Sequence, residues 1–191
     1  MTVPSPASTA PTADDTARGA ALPATRSGLY TPDERRRRDA SPWTLVQGIL
    51  APLQFLVMAV SVFLVVRYLR TGDGLDAAHV SVIVKTLFLY TIMVTGAIWE
   101  KEVFGQYLFA PAFFWEDVVS FGVIALHTAY LIGLAQQWNP QTLMVLALVA
   151  YGTYAVNAIQ FILKLRAARL QEARDLARLA SPAIASAAEA A

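Results

Sequence analysis

Four apolar stretches dominate the chain: Leu45 to Leu69, Val80 to Trp99, Val118 to Ala135 and Thr142 to Leu163, separated by short polar interruptions. A helix needs about 20 predominantly apolar residues to cross a bilayer core, and each stretch is near that length. Composition agrees, with 56% hydrophobic and 15% charged residues, against roughly 45–50% and ~25% in a soluble domain. The expected fold is all-α, a polytopic four-helix transmembrane bundle with spans at about 45–69, 80–99, 115–135 and 142–163. None of the stretches reads as a signal peptide, because the first follows a 44-residue polar lead.

The flanks are polar and carry the punctuation. Residues 1–28, rich in Ala, Pro, Ser and Thr, are expected to be a disordered tail. Thr31-Pro32-Asp33-Glu34 is a capping box with proline at the first helical position, and predicts a short helix ending near Asp39. Ser41-Pro42 restarts a helix that reaches the membrane at Trp43, with Pro52 inside it as an expected kink. Thr71 to Gly74 is a turn, Glu100 to about Trp115 a longer aromatic connection broken by Pro111, and Gln136 to Pro140 a tight link. Residues 29–169 thus form the membrane domain, and residues 170–191 complete an amphipathic helix with an Ala-rich tail.

Orientation follows from basic residues. With the N-terminus inside, the cytoplasmic side holds twelve: Arg18, Arg26, Arg35, Arg36, Arg37, Arg38, Lys101, Lys164, Arg166, Arg169, Arg174 and Arg178. The outer side holds Arg67 and Arg70 alone, so both termini are expected in the cytoplasm. The run Arg35 to Arg38 reads first as a topology signal in contact with anionic lipid.

Several chemistries fall away. Without cysteine there is no thiolate site or disulfide, and two histidines, His79 and His127, provide no multi-histidine metal site. Net charge is +1, which gives no ground for nucleic-acid binding. No phosphate loop, dinucleotide fingerprint or nucleophile elbow occurs, so no cofactor is expected. What remains are polar groups within the spans, which are expensive in lipid and often functional. Gln47 and Gln54 lie on span one, Glu100 closes span two, Glu116 and Asp117 open span three, and Asn157 and Gln160 lie near the cytoplasmic end of span four. Each span therefore brings carboxylates or amides to one layer, ringed by Trp43, Trp99 and Trp115. His127 shares a face with Glu116, Ser120 and Val123, and reads as a packing residue, a general base or an axial ligand. Lys85 is deep in span two, and its first reading is snorkelling to the outer surface, with an ion pair or a substrate-carboxylate anchor as the alternatives.

Three strings, LYTPDERRRRDASPWTLVQGILAPLQFLV (29–57), VKTLFLYTIMVTGAIWEKEVFGQYLFAPAFFWEDV (84–118) and ALHTAYL (125–131), resemble the 3-vinyl bacteriochlorophyllide hydratase family of bacteriochlorophyll biosynthesis. The resemblance runs from about Leu29 to Arg169. It implies a bacterial inner membrane, cytoplasmic or intracytoplasmic, and a reaction that adds water to the C3 vinyl group of chlorophyllide a or 3-vinyl bacteriochlorophyllide. The product is the 3-(1-hydroxyethyl) pigment. Such a substrate is a flat apolar macrocycle with a propionate, and its hydration needs acid–base groups without a redox cofactor. On placement, Glu116 or Asp117 is the candidate acid, Glu100 or His127 the group that orients water, and Trp99, Phe113, Phe114 and Trp115 the stacking surface. His127 as axial ligand to the pigment's magnesium is the competing role. The rival function is a non-catalytic tetrapyrrole carrier or assembly factor serving neighbouring pigment enzymes; a small transporter or channel subunit fits less well, because the polar layer does not trace a pore.

Overall fold

A computed structural model describes residues 28–189, and the expected disordered tail lies almost entirely outside them. Five helices follow in order: α1 (Pro32–Ala40), α2 (Pro42–Thr71), α3 (Leu75–Phe104), α4 (Phe114–Ala135) and α5 (Pro140–Glu189). The fold is all-helical across the described residues, and α2, α3, α4 and the Pro140–Arg174 part of α5 are long and apolar enough to cross a membrane.

Local chemistry sets the helix ends. The Thr31 N–H donates to Glu34 Oε2 at 2.7 Å while Glu34 N–H donates to Thr31 Oγ1 at 3.3 Å, so the capping box closes as its sequence requires. Ser41 caps α2 by accepting from the Trp43 N–H at 3.3 Å. Gly72 and Gly105, at φ +80° and +84°, end α2 and α3 in the left-handed region open to glycine. Helix α2 continues through Pro52, and α5 passes Lys164 without interruption.

Packing joins α2 with α3 and α4 with α5 as two antiparallel hairpins. Large apolar side chains point outward, with Leu45 68% and Phe63 67% exposed, a pattern that water would penalise and lipid accepts. The two hairpin turns share one end of the bundle. Val65, Val82, Tyr130, Met144 and Tyr151 close a dense core there. Buried hydroxyls within it pair across helices: Ser61 with Ser81 at 2.7 Å, Ser61 with Tyr151 at 2.6 Å, and Tyr130 with His79 Nδ1 at 2.6 Å. Around α1 and the α3–α4 connection, the opposite end is open.

Gly133 is the closest approach in the α4–α5 hairpin. A Cβ there would lie 2.7 Å from Trp138 Cε3 and 2.9 Å from Leu143 Cδ2, whereas one at Gly152 would meet nothing within 4 Å. Gly133→Ala should therefore cost about 1–3 kcal/mol through overpacking, read as a lowered thermal midpoint in detergent, while Gly152→Ala leaves it unchanged or raised. Equal midpoints for the two variants would refute this packing.

Candidate functional site

At the open end a cavity of about 630 Å³ lies between α1, α2, α3, α4 and α5, a volume within the range of sites for drug-sized ligands. Small residues make the room: Gly48 and Ala51 on α2, Gly96 and Ala97 on α3, and Ala158 on α5. On α5 the lining residues Tyr154, Asn157, Phe161, Leu165, Ala168 and Arg169 recur at helical spacing. The cavity therefore extends for about 22 Å along one face of that helix.

Glu100 and Asp117 sit opposite each other on its wall, and both are almost completely buried. Their carboxyls lie close enough to interact with each other. Two adjacent backbone donors fix the pair: Phe109 N–H to Asp117 Oδ2 at 2.7 Å and Ala110 N–H to Glu100 Oε2 at 3.2 Å. Successive N–H groups converge in this way because Phe109 adopts φ +58°, a backbone conformation that costs a non-glycine residue about 1–2 kcal/mol. Its ring stacks on Phe121 with centroids 5.5 Å apart and holds the turn in place. Sequence reasoning missed both loop donors; Pro111 marked a break there, but nothing in the string showed where the freed N–H groups point.

Below the carboxyls, Asn157 Nδ2 donates to Ser120 Oγ at 2.7 Å, leaving Asn157 Oδ1 buried without a donor. Deeper still, Gln54 Oε1 accepts from Lys85 Nζ, and its Nε2 has no acceptor. Gln54 and Asn157 both line the cavity. Gln47 does too, with Nε2 bound to Thr95 Oγ1 at 2.8 Å.

Other expected residues fall elsewhere. Lys85 does not snorkel outward: it is fully buried, has no carboxylate partner among the described residues, and rests its ammonium 3.8 Å from the Tyr154 ring centroid. A ring face and an amide oxygen replace the ion pair. Glu116 turns to Lys164, 2.6 Å away, and does not line the cavity. His127 is one turn deeper than Val123, its Nδ1 donating to the Val123 carbonyl at 2.8 Å and its ring against Tyr151. It too is absent from the lining. Gln160 is exposed on the outer face of α5, and Phe114 and Trp115, 43% and 71% exposed, point away from the cavity. Trp99 and Phe113 remain on the wall, their rings 5.7 Å apart, with Phe113 stacked on Phe161 at 5.6 Å.

The mouth is framed by Tyr30, Arg35, Arg38, Asp39, Arg169 and Glu172. Arg35 pairs with Glu172 at 3.0 Å, tying α1 to α5, and Arg38 pairs with Asp39 at 2.7 Å. Burial pushes the Tyr30 hydroxyl up to about 12, against the pull of Arg38, so the phenol stays neutral there.

The 2-vinyl bacteriochlorophyllide hydratase of Rhodobacter capsulatus is 67% identical over 150 residues, 78% of this chain and 88% of the relative. The protein of the same name from Cereibacter sphaeroides is 68% identical over 142 residues, 74% of this chain and 89% of the relative. No solved structure matches. Residues 30–167 match the 2-vinyl bacteriochlorophyllide hydratase family, and the chain belongs to that family.

Proposed function

We propose that this chain is a membrane hydratase of bacteriochlorophyll biosynthesis that adds water to the vinyl group of a chlorophyllide-type tetrapyrrole, with Glu100 and Asp117 as its acid–base pair. The C3 vinyl group is the one that the relatives' names number 2. The observation that carries the assignment is the pair of buried carboxyls, each held by a backbone N–H, on the wall of a largely apolar cavity. A pair sharing one proton holds an acid and a base in the same place.

The chemistry balances without another reactant. The shared proton passes to the terminal vinyl carbon, and the cation left on the adjacent carbon is delocalised into the macrocycle. Water attacks that carbon, and the proton it loses returns to the carboxylate pair. Asn157 Oδ1, an unpaired acceptor on a residue that lines the same cavity, holds the water by accepting one of its O–H groups. Phe109 and Ala110 N–H groups keep both carboxyls in register throughout. Trp99 and Phe113 flank the ring.

In this reading residues 29–169 are the working unit, embedded in the inner membrane with both termini and the cavity mouth on the cytoplasmic side. The excess of Lys and Arg at that end supports the orientation. Pigment then enters from the lipid or from a neighbouring enzyme of the same biosynthesis.

Two outcomes test the assignment. In membranes at matched expression, Glu100→Gln and Asp117→Asn should each lower turnover of the vinyl substrate by about 10²–10⁴-fold, whereas Glu116→Gln stays within a few fold. Near-wild-type turnover in both of the first two would remove the pair from the mechanism. Independently, a ring at Gly48, where an added side chain meets open space, should occupy the pigment's place. Gly48→Phe is expected to raise KM at least tenfold with the carboxyls untouched, and an unchanged KM would put the macrocycle elsewhere.

A further inference from the structure

Charge at the cavity mouth is unevenly matched. Arg35 has Glu172 and Arg38 has Asp39, while Arg169, on the lining, has no ion-pair or hydrogen-bond partner among the described residues. Glu172, one turn along α5, is already held by Arg35, whose own Nε is buried with no acceptor. Among the described residues the mouth therefore has one guanidinium without a partner and one buried N–H donor without an acceptor, with no unpaired carboxylate opposing them among its lining residues. The neutral Tyr30 adds no negative charge.

Depth gives this charge a meaning. Phe161 stacks on Phe113 beside the carboxyl pair, and Arg169 lies eight residues further along the same lining face. Eight residues rise about 12 Å, a span comparable with the breadth of a tetrapyrrole macrocycle. Between the two levels the wall is apolar, with Ile162, Leu165 and Ala168. A ligand fitting this arrangement has an anionic group at one edge and a neutral apolar body.

We infer that Arg169, at a mouth that Arg35 also lines, binds the free carboxylate of the tetrapyrrole and so selects the acid over its ester. The inference rests on the hydratase reading and extends it to the end of the substrate remote from the chemistry. A guanidinium matches a carboxylate in shape as well as charge, and holding that edge orients the vinyl-bearing edge toward Glu100 and Asp117.

The experiment compares the free-acid vinyl pigment with its methyl ester on the full-length protein in detergent or membranes. For wild type, KM for the acid should be about tenfold below that for the ester, at similar kcat. Arg169→Gln should raise the acid's KM to the ester's value and leave the ester's unchanged, and Arg169→Lys should recover part of the difference. Arg166→Gln removes the same charge less than one turn away, off the cavity lining, and should alter neither. Equal KM values for acid and ester in wild type would overturn the inference, as would an Arg169→Gln effect equal on both pigments, the mark of a lipid or scaffold role. Binding of both pigments, followed by fluorescence quenching, makes the same comparison without turnover. Hydration of acid and ester with no preference defeats the anchor alone. Failure to hydrate either defeats the hydratase reading, and the anchor is then judged by binding.

Discussion

Lipid offers no hydrogen bonds, and from that constraint most of this structure follows. Every polar group carried into the bilayer has to find its partner inside the chain. Ser61, Ser81 and Tyr151 do so as a chain of hydroxyls, and His79 and Tyr130 as a pair. Lys85 meets the requirement with an amide oxygen and a ring face. The few buried atoms that escape the rule stand out for that reason. Within the spans they are His127 Nε2, off the cavity lining, and Asn157 Oδ1 and Gln54 Nε2, on residues lining the cavity, where a polar guest is able to complete them.

The same constraint divides the bundle into two halves with different purposes. At the end of the hairpin turns, large side chains close the core and Gly133 lets Trp138 and Leu143 pack tightly. At the other end Gly48, Gly96, Ala51 and Ala97 line the cavity with so little side-chain volume that the space between the helices stays unfilled. The aromatic cluster of Tyr30, Trp99, Phe104, Phe113 and Phe161 stiffens that opening, so the void does not collapse.

Much of the fold was legible in the sequence because its strongest signals are local. Hydropathy marked the spans, and Thr31, Pro32 and Glu34 marked a helix start by their chemistry alone. The grouping of Gln47, Gln54, Glu100, Asp117 and Asn157, which line one cavity, was within reach too, since position along a helix follows from counting residues. Direction around the helix axis was harder. Glu116 and Asp117 are neighbours in sequence yet face different partners, Lys164 for one and Glu100 for the other. Phe113 and Phe114 separate in the same way, one into the aromatic cluster and one toward lipid. The positions of Lys85 and His127 depended on which helices flank them, and the Phe109–Ala110 donors on a left-handed turn that a phenylalanine does not announce.

Helix α5 carries the floor, the aromatic wall and the basic rim on one unbroken rod. A rod of this kind is a phase-locked ruler: each residue added or removed turns everything beyond it by about 100°. One extra residue between Phe161 and Arg169 would swing the guanidinium off the cavity while leaving composition, hydropathy and span length almost unaltered. Length between these two points is thus a constraint as strict as residue identity, whereas the Gly72–Gly74 turn, exposed at the far end of the bundle, bears no such phase.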